Sequence, residues 1–249
     1  MTAFAHPRRP RTSIGASRPA GPPRPARPVS PGAPTSVAPL CVKDRVAAFE
    51  IVVMMRCTAP IAARRRVTSD QPGNRMRPDA NGILNEFNQA PAAYRLVRLL
   101  AALDIEARVD RHFSGGRHRF EVYRVVLAPG SADKLRAILD EAWRSGYLLL
   151  CRSSDRAMAR WQQRDRRTLA VAAWRAALLS AGRRRSSSLA LRLADPDTTS
   201  VLVNAARTMG VHTRAQTRPG YQLLAVNPDS QYEQLLAVAS GTETLEDAV

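Results

Sequence analysis

Arginine carries most of the chemistry this chain can offer, and it recurs in runs and at alternating positions. Arg64, Arg65 and Arg66 stand together, as do Arg183, Arg184 and Arg185. Arg108 and His112 lie along one extended stretch, Arg214, Gln216 and Arg218 along another, and Arg192 in a third. Guanidinium groups grip phosphate bidentately, and clustered ones attract polyanions at long range. The two triple runs are expected in loops without fixed geometry, which suits phosphate contact better than base reading. Along a strand, side chains alternate between faces. Val211, Thr213, Ala215 and Thr217 therefore share one face, and His212, Arg214, Gln216 and Arg218 the other. Leu189, Leu191 and Leu193 point inward with Arg192 away, and Ile105, Ala107 and Val109 oppose Glu106, Arg108 and His112. The outward set is polar and mostly basic.

Other chemistries find no constellation. His6, His112, His118 and His212 have no metal-ligand spacing, although His112 and His118 flank a hairpin across which they could meet. Cys41, Cys57 and Cys151 are too few and too scattered for a disulfide framework or a four-ligand zinc site. They fit a reducing, intracellular compartment. Gly115-Gly116 reads as a turn, Ser186-Ser187-Ser188 lacks a paired base, and Trp143, Trp161 and Trp174 read as packing residues. No cofactor and no small-molecule substrate is expected.

The elements that would hold the arginines occur twice. Residues 82–146 and 186–241 each read as strand, helix, strand, tight turn, strand, helix. The first helix carries Leu96, Leu99, Leu100 and Leu103, the second Leu202, Ala205, Ala206 and Met209, both with the spacing of one buried helical face. Each is followed by a strand with arginine at the matching place, Arg108 and Arg214. Ser131 is expected to cap the next helix of the first unit and Gly146 to close it. In the second unit Asp195-Pro196-Asp197 supplies an N-cap, an N1 proline and an early acid, and Gly210 the stop. Val42–Arg56 is long and apolar enough for a buried helix. Its natural partner is Leu169–Ala181, whose Ala170, Ala173, Ala177 and Ala181 would let two backbones approach closely.

Composition sets the frame. The chain has 249 residues and a formal net charge of +17. Its first 40 residues hold ten of the 18 prolines, six arginines and no acid, so they read as a disordered basic tail. That composition also imitates an organellar transit peptide, but a flexible basic arm is the preferred reading. Without those six arginines the remainder still carries +11. This is the balance of a nucleic-acid binder, or of a soluble protein whose arginines reflect codon bias. No apolar run approaches the roughly 20 residues of a membrane span. The expected organisation is a tail over 1–40, a first repeat over 41–146 with a basic loop at 58–81, a connector at 147–167, a second repeat over 168–241, and an acidic tail at 242–249.

Several segments resemble the WhiA regulators of actinobacteria. They are Ala172-Ala173-Trp174-Arg175-Ala176-Ala177-Leu178-Leu179-Ser180-Ala181-Gly182, then Ser188-Leu189-Ala190-Leu191, Asp195-Pro196, and Ala205-Ala206-Arg207-Thr208-Met209-Gly210-Val211. Cys41-Val42-Lys43 is similar to the entry of that family's first helix. The resemblance covers roughly residues 40–245 and is clearer in the second repeat. It implies an α+β fold of two tandem LAGLIDADG-like αββαββα-type repeats, related to homing endonucleases, forming a pseudo-twofold saddle over duplex DNA. It also implies a role in transcription of sporulation and cell-division genes. That family normally adds a helix-turn-helix domain, and none precedes Val249, so the chain is expected to be a diverged or truncated paralogue.

Cleavage chemistry would need carboxylates at the base of each central helix to hold Mg²⁺. Ala181 stands where the endonuclease motif has its acid, and Val53-Met54-Met55-Arg56 supplies none. The chain is therefore expected to be a non-catalytic DNA-binding regulator, cytoplasmic and nucleoid-associated. Another regulator or an RNA polymerase subunit could be a further partner. The alternatives are a protein-docking module and an RNA-associated basic protein.

Overall fold

The computed structural model describes residues 41–58, 78–114, 120–152, 159–181, 183–185, 188–226, 233 and 235–237. The expected tails at 1–40 and 242–249, the loop run Arg64–Arg66, His6 and His118 lie outside the described residues.

Two central helices organise the chain. α1 (Val42–Cys57) starts where the Cys41 sulfur accepts the Asp44 N–H, with an acid in its first turn and Arg56 in its last, matching the helix dipole. From Ala47 to Met55 every residue is buried, the mark of a helix enclosed on all sides. α4 (Arg160–Ala181) packs along it, and its Ala170, Ala173 and Ala177 are fully buried. α4 begins earlier than its alanine-rich stretch suggests. Its first two turns take in the second half of the expected connector, and a π-helical turn (Leu148–Arg152) occupies the first part.

Around this pair the two repeats share one topology. β1 (Ile83–Phe87), α2 (Ala90–Ala101), β2 (Ala107–Ser114), β3 (Phe120–Leu127) and α3 (Ala132–Tyr147) follow α1. β4 (Arg183–Arg185), β5 (Ser188–Leu193), α5 (Pro196–Thr208), β6 (Thr213–Arg218) and β7 (Tyr221–Val226) follow α4. Both sheets are antiparallel, ordered β1-β3-β2 and β4-β5-β7-β6. Superposing the orders pairs β1 with β5, β3 with β7 and β2 with β6, and β4 is the strand without a described counterpart. The fold is α+β, built from tandem repeats.

Each sheet turns one face to a shared core. Phe87, Val125 and Leu127 come from the first, and Leu189, Leu191, Leu193, Leu224 and Val226 from the second. Trp174 is fully buried, and its Nε1–H donates to the Leu202 carbonyl at 3.0 Å, tying α4 to α5. Trp143 stacks on Phe49 with ring centroids 6.2 Å apart. Trp161, by contrast, is 65% exposed near the start of α4, so packing accounts for two of the three tryptophans.

Caps and stops follow local chemistry unevenly. The Asp195 side chain accepts the Asp197 N–H at 3.1 Å with Pro196 at N1, and Gly210 adopts φ +77° after α5, as expected. Ser131 occupies the N-cap position of α3 in a helical conformation and makes no side-chain cap. Gly146 does not close α3, which runs one residue further and then into the π-helical turn. The glycine is there for space: a Cβ at that position would sit 2.3 Å from the Phe49 ring.

Candidate nucleic-acid interface

The faces turned away from the core differ between the sheets, and the register shows how. In the first sheet β1 carries a bulge. Ile83 pairs with Val126 and Asn85 with Val125, so one extra residue is absorbed between them. Leu84 and Phe87 consequently both reach the core, and Glu86 emerges on the outer face opposite Arg124. Asn85 donates inward to the Thr58 hydroxyl at 2.8 Å.

Reading across β1, β3 and β2, the outer face has a row Ile83–Val126–Arg108 and a row Glu86–Arg124–Asp110, then Val122 beside His112. The equivalent rows across β5, β7 and β6 are Ala190–Ala225–Arg214 and Arg192–Leu223–Gln216, then Tyr221 beside Arg218. The first row of each sheet is alike. The second row is reversed in sign, with Glu86 where the other repeat has Arg192, and Asp110 where it has Gln216.

The acids of the first sheet are engaged. Arg124 Nε lies 2.6 Å from Glu86 Oε1, and Arg108 Nε lies 3.2 Å from Asp110 Oδ1. An open depression of about 510 Å³ lies beside them, with Arg108, Asp110, Arg111, His112 and Arg124 among its lining residues. Across the outer face the two ion pairs match Arg108 and Arg124 to Asp110 and Glu86 and leave no net charge. On the opposite side of the same hairpin Arg111 pairs with Glu121, which also accepts the Tyr123 hydroxyl at 2.5 Å. The Tyr123 hydroxyl and then Arg111 hold the Glu121 carboxyl below its ordinary range, and Glu121 in turn raises Tyr123.

The second sheet has no acid in any of its four strands. Arg192, Arg214 and Arg218 are exposed on its outer face, and none forms an ion pair among the described residues. Arg192 lies over the Tyr221 ring at 5.2 Å, and Arg218 Nη2 donates to Gln216 Oε1 at 3.1 Å. Cation–π and amide contacts orient the guanidinium groups without neutralising them. The floor between them is low, formed by Ala190 and Ala225.

The expected site residues thus fall into three groups. Arg192, Arg214, Gln216 and Arg218 share one outer face, and Arg108 and His112 share the equivalent face of the other sheet. Arg183, Arg184 and Arg185 are corrected: their backbone is not a free loop but β4, paired with β5 through Arg183–Ala190, Arg184–Leu189 and Arg185–Ser188. Strand pairing, a tertiary contact, fixes that segment. Arg124, Glu86 and Asp110 complete the first sheet's face and escaped sequence reasoning. The alternation Tyr123, Val125, Leu127 was a signal for Arg124, whereas Glu86 depends on a bulge with no local signature.

At the ends of the central helices stand Arg56, Cys57 and Thr58 on α1, and Ser180 and Ala181 on α4. Asp195 reaches this region, where its Oδ2 accepts from Arg56 Nη1 at 2.5 Å and from the Thr198 hydroxyl at 2.7 Å. Among the described residues no three His, Cys, Asp or Glu side chains come together as metal ligands. No helix among them is long and apolar enough to cross a membrane.

Fold and face together define an α+β tandem-repeat protein with one basic and one charge-balanced outer sheet face. Among solved structures it is similar to the N-terminal LAGLIDADG domain of WhiA, at 10% identity and a TM-score of 0.45, over 83% of this chain and 91% of that one. It is similar to I-DmoI in complex with DNA and manganese, at 8% identity and 0.45, over 80% and 98%. Full-length WhiA from Thermotoga maritima aligns at 9% identity and 0.40, over 83% and 67%. No family model and no curated protein matches the chain.

Proposed function

We propose that this chain is a non-catalytic protein that binds duplex DNA through sheet-borne arginines. The observation that carries the reading is the outer face of β4-β5-β7-β6, where Arg192, Arg214 and Arg218 stand exposed on an acid-free sheet. Unpaired guanidinium groups on rigid strands hold fixed spacing, which loops do not, and their charge is available to phosphate oxygens. The residues at the ends of α1 and α4 support the absence of cleavage, since arginine, thiol, hydroxyl and alanine side chains do not replace the carboxylates that bind Mg²⁺. The narrower role, regulation of sporulation and cell-division genes in a nucleoid-associated setting, rests on the sequence resemblance to WhiA.

The test is binding of labelled duplex DNA by the full chain across a salt series, with structured RNA as competitor. About six phosphate contacts give a log–log slope near −5. A flat salt response, or displacement by RNA at far lower concentration than by DNA, overturns the reading. Plasmid nicking in Mg²⁺ that persists through repurification overturns the non-catalytic part.

A further inference from the structure

Resting on the DNA-binding reading above, we infer that the contact is one-sided: phosphates lie along the outer face of the second sheet, and the first sheet is held off them by Glu86 and Asp110. The two repeats share strand order and, once the β1 bulge is allowed for, cross-strand register, so their outer faces can be compared position by position. Arg108 matches Arg214, but Glu86 matches Arg192, Asp110 matches Gln216 and His112 matches Arg218. The first face pairs Arg108 with Asp110 and Arg124 with Glu86 and is neutral, whereas the second carries three arginines.

Each phosphate contact contributes through counterion release, which needs a cation not already neutralised. A guanidinium held 2.6 Å from a carboxylate must lose that partner to serve, and its acid then repels the same phosphate. The first sheet therefore offers its arginines at a double disadvantage. The second has no such cost. Three strands at about 4.8 Å spacing span roughly 10–15 Å, comparable with a B-DNA major groove about 12 Å wide. One sheet is enough to engage a groove wall and its phosphates, so the doubled fold engages DNA through its second repeat, and the first repeat's sheet is electrostatically silent.

Three variants of the full chain decide it, each checked for an unchanged melting temperature. R192Q/R214Q/R218Q weakens duplex binding about 100-fold or more at 0.1 M salt and lowers the salt slope by about 3. R108Q/R124Q leaves the salt slope unchanged, because those cations face acids and release no counterions, and the loss of affinity from the bared carboxylates stays well below that of the first variant. Conversely D110N alone, at an exposed pair, and E86Q/D110N release Arg108 and Arg124, so binding tightens and the slope grows by about 1 and 2. Equal losses from both sheets, no loss from either, or no gain from the acid-removing variants overturns one-sidedness while leaving DNA binding intact. If the unmodified chain fails to bind duplex DNA at all, it is the underlying reading that falls, and this inference with it.

Discussion

Arg56 and Asp195 join the two repeats: Arg56 Nη1, at the end of the first repeat's central helix, lies 2.5 Å from Asp195 Oδ2, at the cap of the second repeat's α5. Arg56 also stacks 3.8 Å above the Trp143 ring, so one side chain holds α1, α3 and α5 in register. Burial alone would raise the Asp195 carboxyl. The Thr198 hydroxyl, Arg56 and the Asp197 N–H outweigh it and hold the group below its usual range.

That direction fixes a pH dependence. A carboxyl lowered in the folded state contributes stability that is complete above the unfolded value of about 3.9 and is lost as pH falls through the folded one. Asp195→Asn should cost about 1–2 kcal/mol at neutral pH and flatten the loss of stability in acid. Urea unfolding near pH 7 and near pH 3.5 measures both. Parallel acid losses for the two proteins would contradict the assignment.

Glu50 is 1% exposed on α1 and is gripped by Arg95 at 2.8 and 2.9 Å and by Arg175 at 3.6 Å. Removing the acid leaves two partly buried guanidinium groups without their shared counter-charge. Glu50→Ala should destabilise by about 3 kcal/mol or more, and Arg95→Ala by less, because Arg175 remains. Chemical denaturation of the two variants gives the order, and the reverse order would show that Arg95 holds the pair.

Gly146→Ala tests the contact between α3 and Phe49. In an ordinary helix interior this change stabilises by roughly 1 kcal/mol. Here the new methyl would meet the aromatic ring, and overpacking should reverse the sign, with a net loss of about 1–3 kcal/mol. Thermal melts of G146A and of G146A/F49L separate the effects: the smaller partner should recover part of the loss.

The thiols differ in access. Cys41 is exposed, Cys151 is partly covered with its thiol raised by burial, and Cys57 is buried and raised further by burial and by Asp195. A disulfide reagent at neutral pH should label Cys41 first, Cys151 slowly, and Cys57 only when urea opens the core. Early labelling of Cys57 would mean that the end of α1 opens readily.

What could be read from sequence was whatever local chemistry decides. Asp195-Pro196 announces α5 because cap and N1 proline act within one turn, and the leucine spacing of α2 names its buried face. The misreadings lie where a distant partner decides. Gly146 looks like a stop until Phe49 is seen beside it, and the arginines at 183–185 look like a loop until β5 pairs with them. Arg160–Arg167 is polar on most sides, so nothing in its periodicity shows that α4 already begins there. The outward arginines of β2, β5 and β6 were found by alternation alone. The acids of the first sheet, Asp110 and Glu86, are not legible in this way, because whether a cation is free depends on adjacent strands.

The bulge in β1 has a consequence beyond geometry. A single surplus backbone unit between Ile83 and Asn85 shifts the phase of everything after it, turning a carboxylate outward and an aromatic ring inward. A one-residue length change in an edge strand is thus enough to set a carboxylate beside Arg124 on the outer face, where the other repeat presents Arg192.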